Sequence, residues 1–215
     1  MSTVLGIDTA GPVVGACLIG PDAQLEWSER VRRGADTALI PAIADLLRQA
    51  DGLDLVAVSV GPGAFTGLRV GVAAALGVAV SRGVSVVCVS SLEARAAMIS
   101  GASVLSILDA RKSRVYAQWF DCSGVLPVAR STAMDKPIES VFPSQPFVAV
   151  GEGALLQPEL VEAAGGVLSP DPDRNAAPSV AQIGLLRRGT ALAPNEVALA
   201  YLRDADAQKP SFPTG

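Results

Sequence analysis

Apolar residues along the chain alternate between short continuous runs and helix-spaced rows. Val4 to Asp8 and Val13 to Ile19 are runs separated by a Gly11-Pro12 turn, and Gly20-Pro21-Asp22 marks a hairpin before a third, more polar run from Gln24 to Val31. Runs of this length bounded by turn residues predict three strands in a meander. The rhythm then changes. Leu39, Ile40, Ile43, Leu46, Leu47 and Ala50 share one helical face, with Asp36 or Thr37 as candidate N-cap and Pro41 close enough to the start to be tolerated or to bend the axis. Asp51-Gly52 ends that helix. Leu55 to Val60 predicts a fourth, buried strand, Ser85 to Val89 a fifth, and Ser90 with Glu93 forms a capping-box pair for a helix through about Ile99.

The stretch Ser59 to Val80 organises the rest. It leaves the fourth strand through Gly61, Pro62 and Gly63 and runs from about Phe65 as a helix with almost no polar residue after Arg69. Leu68, Val72, Leu76 and Val80 form a bulky row, and Gly67, Gly71, Ala75 and Ala79 form a neighbouring row with almost no side chain. A helix apolar all round must be covered all round. The sheet covers one face, so the small-residue face is expected to receive another helix, including one from another protein.

The pattern then begins again. Leu5-Gly6-Ile7-Asp8 is echoed by Ser106-Ile107-Leu108-Asp109, an apolar strand ending in Asp, followed by Val115 to Phe120, a Cys122-Ser123-Gly124 turn and Val125 to Arg130. Gly61-Pro62-Gly63 is echoed by Gly151-Glu152-Gly153, again between a strand and a helical segment, here ending near Ala164. Ser169 to Pro178 is a connector to a helix over about Ser179 to Arg188. Two echoes in the same order predict a duplicated unit. The expected fold is α/β and actin-like, built from two tandem ribonuclease-H-like half-domains with the second reduced. Residues 1–103 form the first, 104–205 the second, and 206–215 a flexible tail.

Composition narrows the function. Half of the 215 residues are hydrophobic, 4% are aromatic and the mean hydropathy is +0.40, a profile of an Ala/Val/Leu-rich α/β core. The longest apolar run, Val70 to Val80, is shorter than the roughly 18–20 residues that span a bilayer. The N-terminus enters a strand without a leader pattern, and a cytoplasmic protein is expected. The chain has no histidine, which excludes His-based metal sites and the Ser-His-Asp and Cys-His nucleophile systems. Cys17, Cys88 and Cys122 lack metal or redox spacing. Seventeen basic against 21 acidic residues leave no global attraction to nucleic acid.

Candidate chemistry is confined to the turns. In an actin-type fold each half offers a turn after its first strand, with an Asp toward magnesium or its waters and small residues beside phosphate. Asp8-Thr9-Ala10-Gly11 suits that pattern, whereas Asp109 is followed by Ala110-Arg111-Lys112, with no glycine. Such an Asp caps a turn or holds a metal. Asp8, Thr9, Gly61, Gly63, Gly151 and Gly153 together outline a vestigial nucleotide cleft.

Gly6 to Ala10 (GIDTA), Val60 to Val72 (VGPGAFTGLRVGV), Ser90 to Ala94 (SSLEA), Leu108 to Ala117 (LDARKSRVYA) and Tyr201 to Lys209 (YLRDADAQK) together resemble the TsaB (YeaZ) family over almost the full chain. The GPG-x-FTG-x-R-x-G segment is the most specific piece. The resemblance implies a non-catalytic relative and partner of TsaD in making threonylcarbamoyladenosine at the adenosine 3′ to the anticodon of tRNAs reading codons that begin with A. It implies pairing with TsaD, with TsaE also present, a homodimer when alone, and tRNA reached only through the complex. The family lacks TsaD's metal-binding histidines; many relatives keep one histidine before the first helix, where this chain has Ala35-Asp36-Thr37. No metal or cofactor of its own is implied, with ATP or ADP at the partner contact as an option. Pairing through the first two helices makes Gly67, Arg69, Gly71, Ala75, Leu39 and Ile43 the expected interface. Arg69 would pair with a partner carboxylate or lie along its own surface, and Arg111 and Arg203 would hold tRNA or pair with acidic neighbours. The alternatives are a small actin-like ATPase or sugar kinase, a nucleotide-binding module, and, least supported without histidine, a peptidase.

Overall fold

The computed structural model describes residues 2–21, 23–32 and 34–202. Asp22 of the expected hairpin turn, Arg203, the end of the Tyr201 to Lys209 motif and the expected tail over 206–215 lie outside the described residues. The first half contains strands β1 (Val4–Asp8), β2 (Val13–Ile19) and β3 (Gln24–Arg30), helix α1 (Ala35–Arg48), β4 (Leu55–Gly61), α2 (Phe65–Arg82), β5 (Ser85–Ser90) and α3 (Ser91–Ala96). They build a five-stranded sheet in the order β3-β2-β1-β4-β5. β1 to β3 run antiparallel as a meander, and β4 and β5 are parallel to β1. β1 and β4 are buried along their whole length. This is why they read as unbroken apolar runs.

The second half repeats the plan. It contains β6 (Ser103–Arg111), β7 (Arg114–Asp121), β8 (Val128–Ala129), β9 (Met134–Pro137), β10 (Phe147–Val150), α4 (Pro158–Ala163), β11 (Gly166–Leu168) and α5 (Ala177–Leu186). The second sheet has the order β11-β10-β6-β7-β8, with β9 also paired to β7. β6 and β7 are antiparallel, whereas β10 and β11 are parallel to β6. Read from the opposite edge, the path repeats the first sheet, with β6 in the place of β1 and β10 in the place of β4. The fold is thus the duplicated actin-like α/β arrangement, its second copy reduced in helices. Gly61 and Gly151 close equivalent strands, both at positive φ, 124° and 100°. Side chains rarely adopt that backbone conformation, which explains the recurring glycine.

The last helix of each half crosses over. α5 packs on β1, β2 and β4 of the first sheet, and α3 packs on β6 and β7 of the second. α5 closes a core in which Ala177, Val180 and Ala181 meet Val4, Cys17, Ala57 and Val87. α1 and α2 cover the opposite face of the first sheet.

Three local expectations are corrected. α1 starts at Ala35 behind Gly34, a left-handed N-cap at φ 72°, so Asp36 and Thr37 lie in the first turn. The Thr37 hydroxyl donates back to the Gly34 carbonyl at 2.7 Å. The strand expected over Val125 to Arg130 is shortened to β8, which begins after Pro127, and β9, beyond that range, also pairs with β7. After Gly151 the chain makes a 3-10 turn, Glu152–Leu156, before α4, whose start is set by Pro158.

Candidate functional site

The turns after β1 and β4, the end of β6, the start of α2 and Glu152 border a cleft of about 670 Å³ between the two sheets. Ala10, Gly11, Phe65, Thr66, Arg111 and Tyr201 are among its walls. Asp8 lies beneath it, fully buried. Its carboxylate faces a side chain that sequence patterns did not single out. Arg95 of α3, itself 3% exposed, brings Nη2 to 3.1 Å from Asp8 Oδ2. The same guanidinium donates through Nη1 to the Ser91 carbonyl at 3.0 Å and places Nε 3.9 Å from Glu152 Oε2. Asp8 also accepts from the backbone N–H groups of Ala10 and Ala176, each at 3.4 Å. Asn175 Nδ2 donates to the carbonyls of Asp8 at 3.3 Å and Val13 at 2.6 Å. Burial pushes the Glu152 carboxyl above its ordinary range, partly opposed by Arg95.

The expected cleft residues come together around this cluster, but their backbone is already committed. A Cβ on Gly63 would press on Ala10, and the next N–H, from Ala64, donates to the Ala10 carbonyl at 2.8 Å. A Cβ on Gly61 would collide with Ala200, and Cβ atoms on Gly151 and Gly153 would collide with Ile107. These glycines let strands and turns of this chain approach one another. Thr9 is buried against α2, and its Oγ1 has no hydrogen-bond partner among the described residues. The second turn is closed by its own side chains: Asp109 accepts from the Arg111 N–H at 2.7 Å, and Arg111, Lys112 and Ser113 all have φ between 54° and 63°.

Most of the expected partner residues lie inside the chain. Leu39 and Ile43 are buried in the core against the first sheet, and Ala75 is fully buried. A Cβ on Gly67 or Gly71 would collide with Thr9, so this row receives the end of β1. A small-residue row admits any close neighbour, and here that neighbour is a strand end of the same chain. The outward row of α2 is Thr66, Arg69, Ala73, Gly77 and Val80. Among the described residues a Cβ on Gly77 would meet nothing within 4 Å, and Val80 is 69% exposed. Ile40 and Ala44 are outward on α1, which packs beside α2. Arg69 is engaged within the chain. Its Nε donates to the Tyr201 hydroxyl at 3.1 Å, and its guanidinium sits 3.8 Å from the Phe65 ring centre.

Sequence reasoning missed Arg95, Asn175 and the partnership of Glu152. The available signal was two opposite charges, Glu93 and Arg95, in Leu92-Glu93-Ala94-Arg95-Ala96, on a segment short and apolar enough to be buried. Its neighbour Glu93 is also engaged, accepting from Arg187 Nη1 at 2.9 Å.

Two interlocked ribonuclease-H-like halves with a charged cluster at their junction define an actin-like α/β protein. Residues 29–149 match the family model described as TsaD, tRNA N6-adenosine threonylcarbamoyltransferase. An uncharacterized protein of Mycobacterium tuberculosis is 38% identical over 135 residues, covering 60% of this chain and 63% of that protein. The tRNA threonylcarbamoyladenosine biosynthesis protein TsaB of Bacillus subtilis is 33% identical over 121 residues, covering 53% of each chain. The structure of YeaZ from Pseudomonas aeruginosa superposes with a TM-score of 0.81 at 25% identity, covering 94% of this chain and all of that one. The chain belongs to this family, in its TsaB (YeaZ) branch. Its matches span 63% or less of the lengths of the mycobacterial and Bacillus relatives.

Proposed function

We propose that this chain is a non-catalytic accessory subunit that works with TsaD in forming N6-threonylcarbamoyladenosine at the adenosine 3′ to the anticodon of tRNAs reading codons that begin with A. The observation that carries this is the burial of Asp8 against Arg95, 3.1 Å away, where an enzyme of this fold would turn the carboxylate toward a metal or its waters. The glycines flanking the cleft are likewise spent on packing. A molecule whose reactive positions are filled from within retains its outer surface as the functional part. The outward row Ala73, Gly77 and Val80, with Ile40 and Ala44, is an apolar face with little side-chain bulk. TsaD is its proposed occupant, with a second copy of this chain taking its place in a homodimer. TsaE is a further partner, tRNA is reached only through the complex, ATP or ADP binds at the contact rather than as a cofactor of this chain, and the complex works in the cytoplasm.

The test is a reconstitution with purified TsaD, TsaE, a threonylcarbamoyl-adenylate source and substrate tRNA, with and without this chain, reading the modified nucleoside by mass spectrometry. Product should form only when the chain is present, and the chain alone should make none. Equal product without it would overturn the proposal.

A second reading, a nucleotide-binding module, rests on the cleft of about 670 Å³ beside the first turn of α2. Calorimetric titration of the isolated chain with ATP and ADP decides it.

A further inference from the structure

The actin-like fold implies a divalent cation near the carboxylate that ends its first strand. The residues present do not fit one. Asp8 is fully buried, its Oδ2 lies 3.1 Å from Arg95 Nη2, and Arg95 is itself 3% exposed. A hydrated ion needs room for several waters around it. Beside Asp8, beneath the cleft, Arg95 stands where those waters would be, and a Cβ placed on Gly11 would lie 3.1 Å from both Arg95 Nη2 and Glu152 Oε2. We infer that the guanidinium of Arg95 is the resident cation of this junction, standing in place of a metal between Asp8 and Glu152 and tying the two halves together.

The chemistry suits the position. A guanidinium is planar, permanently charged and more weakly hydrated than an ammonium, so it is the cation least penalised by burial. Here it reaches three segments. Asp8 belongs to β1 of the first sheet, Glu152 follows β10 of the second, and Ser91, whose carbonyl accepts from Nη1 at 3.0 Å, begins the crossing helix α3. Asn175, leading into α5, donates to the Asp8 carbonyl. Both crossover connections therefore converge on one buried charge pair. The same residue that removes the metal also makes the junction a fixed strut instead of a hinge that closes on a ligand. This inference concerns the junction alone and stands whether or not TsaD is the partner.

The test is cation dependence of thermal unfolding. Wild-type Tm should not change with millimolar magnesium or manganese. Arg95→Ala, leaving Asp8 and Glu152 unneutralised, should unfold roughly 10 °C lower, the scale for breaking a buried ion pair in a chain of this size. Guanidinium chloride at about 20 mM, set against sodium chloride at equal ionic strength, should restore part of that loss in the variant and none in wild type, because only the variant has the vacated position. If Arg95→Ala does not fold, the triple variant Asp8→Asn, Glu152→Gln, Arg95→Met should fold, since it removes both charge signs together. Stabilisation of wild type by magnesium, an Arg95→Ala protein as stable as wild type, absence of guanidinium rescue in a folded variant, or failure of the triple variant to fold would each overturn the inference.

Discussion

Glu152 is a carboxyl held above its ordinary range chiefly by burial, with Arg95 pulling the other way. A carboxyl with a raised folded-state pKa supports the fold below its unfolded value and loses that support as pH rises through the folded value. The unfolded chain ionises this group near 4.5, so the loss begins there and levels off once the folded carboxyl has ionised. Glu152→Gln does not titrate in this window. Its Tm, measured against wild type from pH 4.5 to 8, should therefore improve relative to wild type as pH increases; a constant difference would mean that burial does not penalise the charge. The thiols follow the same physics. Burial pushes Cys17 up to about 12 and Cys122 up to about 11, as expected for small apolar core residues. That the turns after β1 and β4 pack side by side, Gly63 against Ala10, was legible in the sequence. Arg95 was not, because the residue that opposes a buried carboxylate is chosen by the crossing of α3 between the halves rather than by any spacing along the chain.

At the scale of elements, α2 shows how much periodicity can and cannot say. Its length and apolar character are plain in the sequence, and 18 residues of such composition would be long enough to cross a bilayer; its packing against β4, β1, β5 and α1 accounts for the apolar residues on its inner faces. Which small residues face outward is not in the pattern, since glycine and alanine occupy both rows. The structure separates them, and the separation is testable. Gly71→Leu forces a side chain into Thr9 and should lower Tm by several degrees, from an overpacking cost of about 1–3 kcal/mol. Ala73→Arg, on the outward row, should leave Tm within a degree or two and weaken association with TsaD, or self-association, by roughly tenfold or more. Differential scanning fluorimetry and analytical ultracentrifugation on the two variants distinguish these outcomes. Unchanged association in Ala73→Arg would remove this face from the proposed interface.

For the whole molecule, the two halves are repeats in topology yet not independent in packing. α5 lies in the second half of the sequence and buries the face of the first sheet formed by Val4, Cys17, Ala57 and Val87. A fragment of residues 1–103 leaves that face open to water and should bind a hydrophobic dye and lack a sharp unfolding transition, whereas the full chain unfolds cooperatively. A cooperative transition in the fragment, followed by circular dichroism, would contradict this interdependence. The expected division near residue 103 thus corresponds to a change of sheet, and we propose that it is not a boundary between separately stable domains.

The order of strands and helices in the first half, the duplication, the family and the glycine turns were determined by the sequence itself, because burial on both faces, helical spacing and positive φ leave marks on residue type that are local along the chain. The tertiary structure alone decided which side of α2 is free and what faces Asp8. Both depend on segments distant in sequence arriving at one place: Thr9 against Gly71, and Arg95 between Asp8 and Glu152. A side chain's type records how buried it is, but not which neighbour buries it.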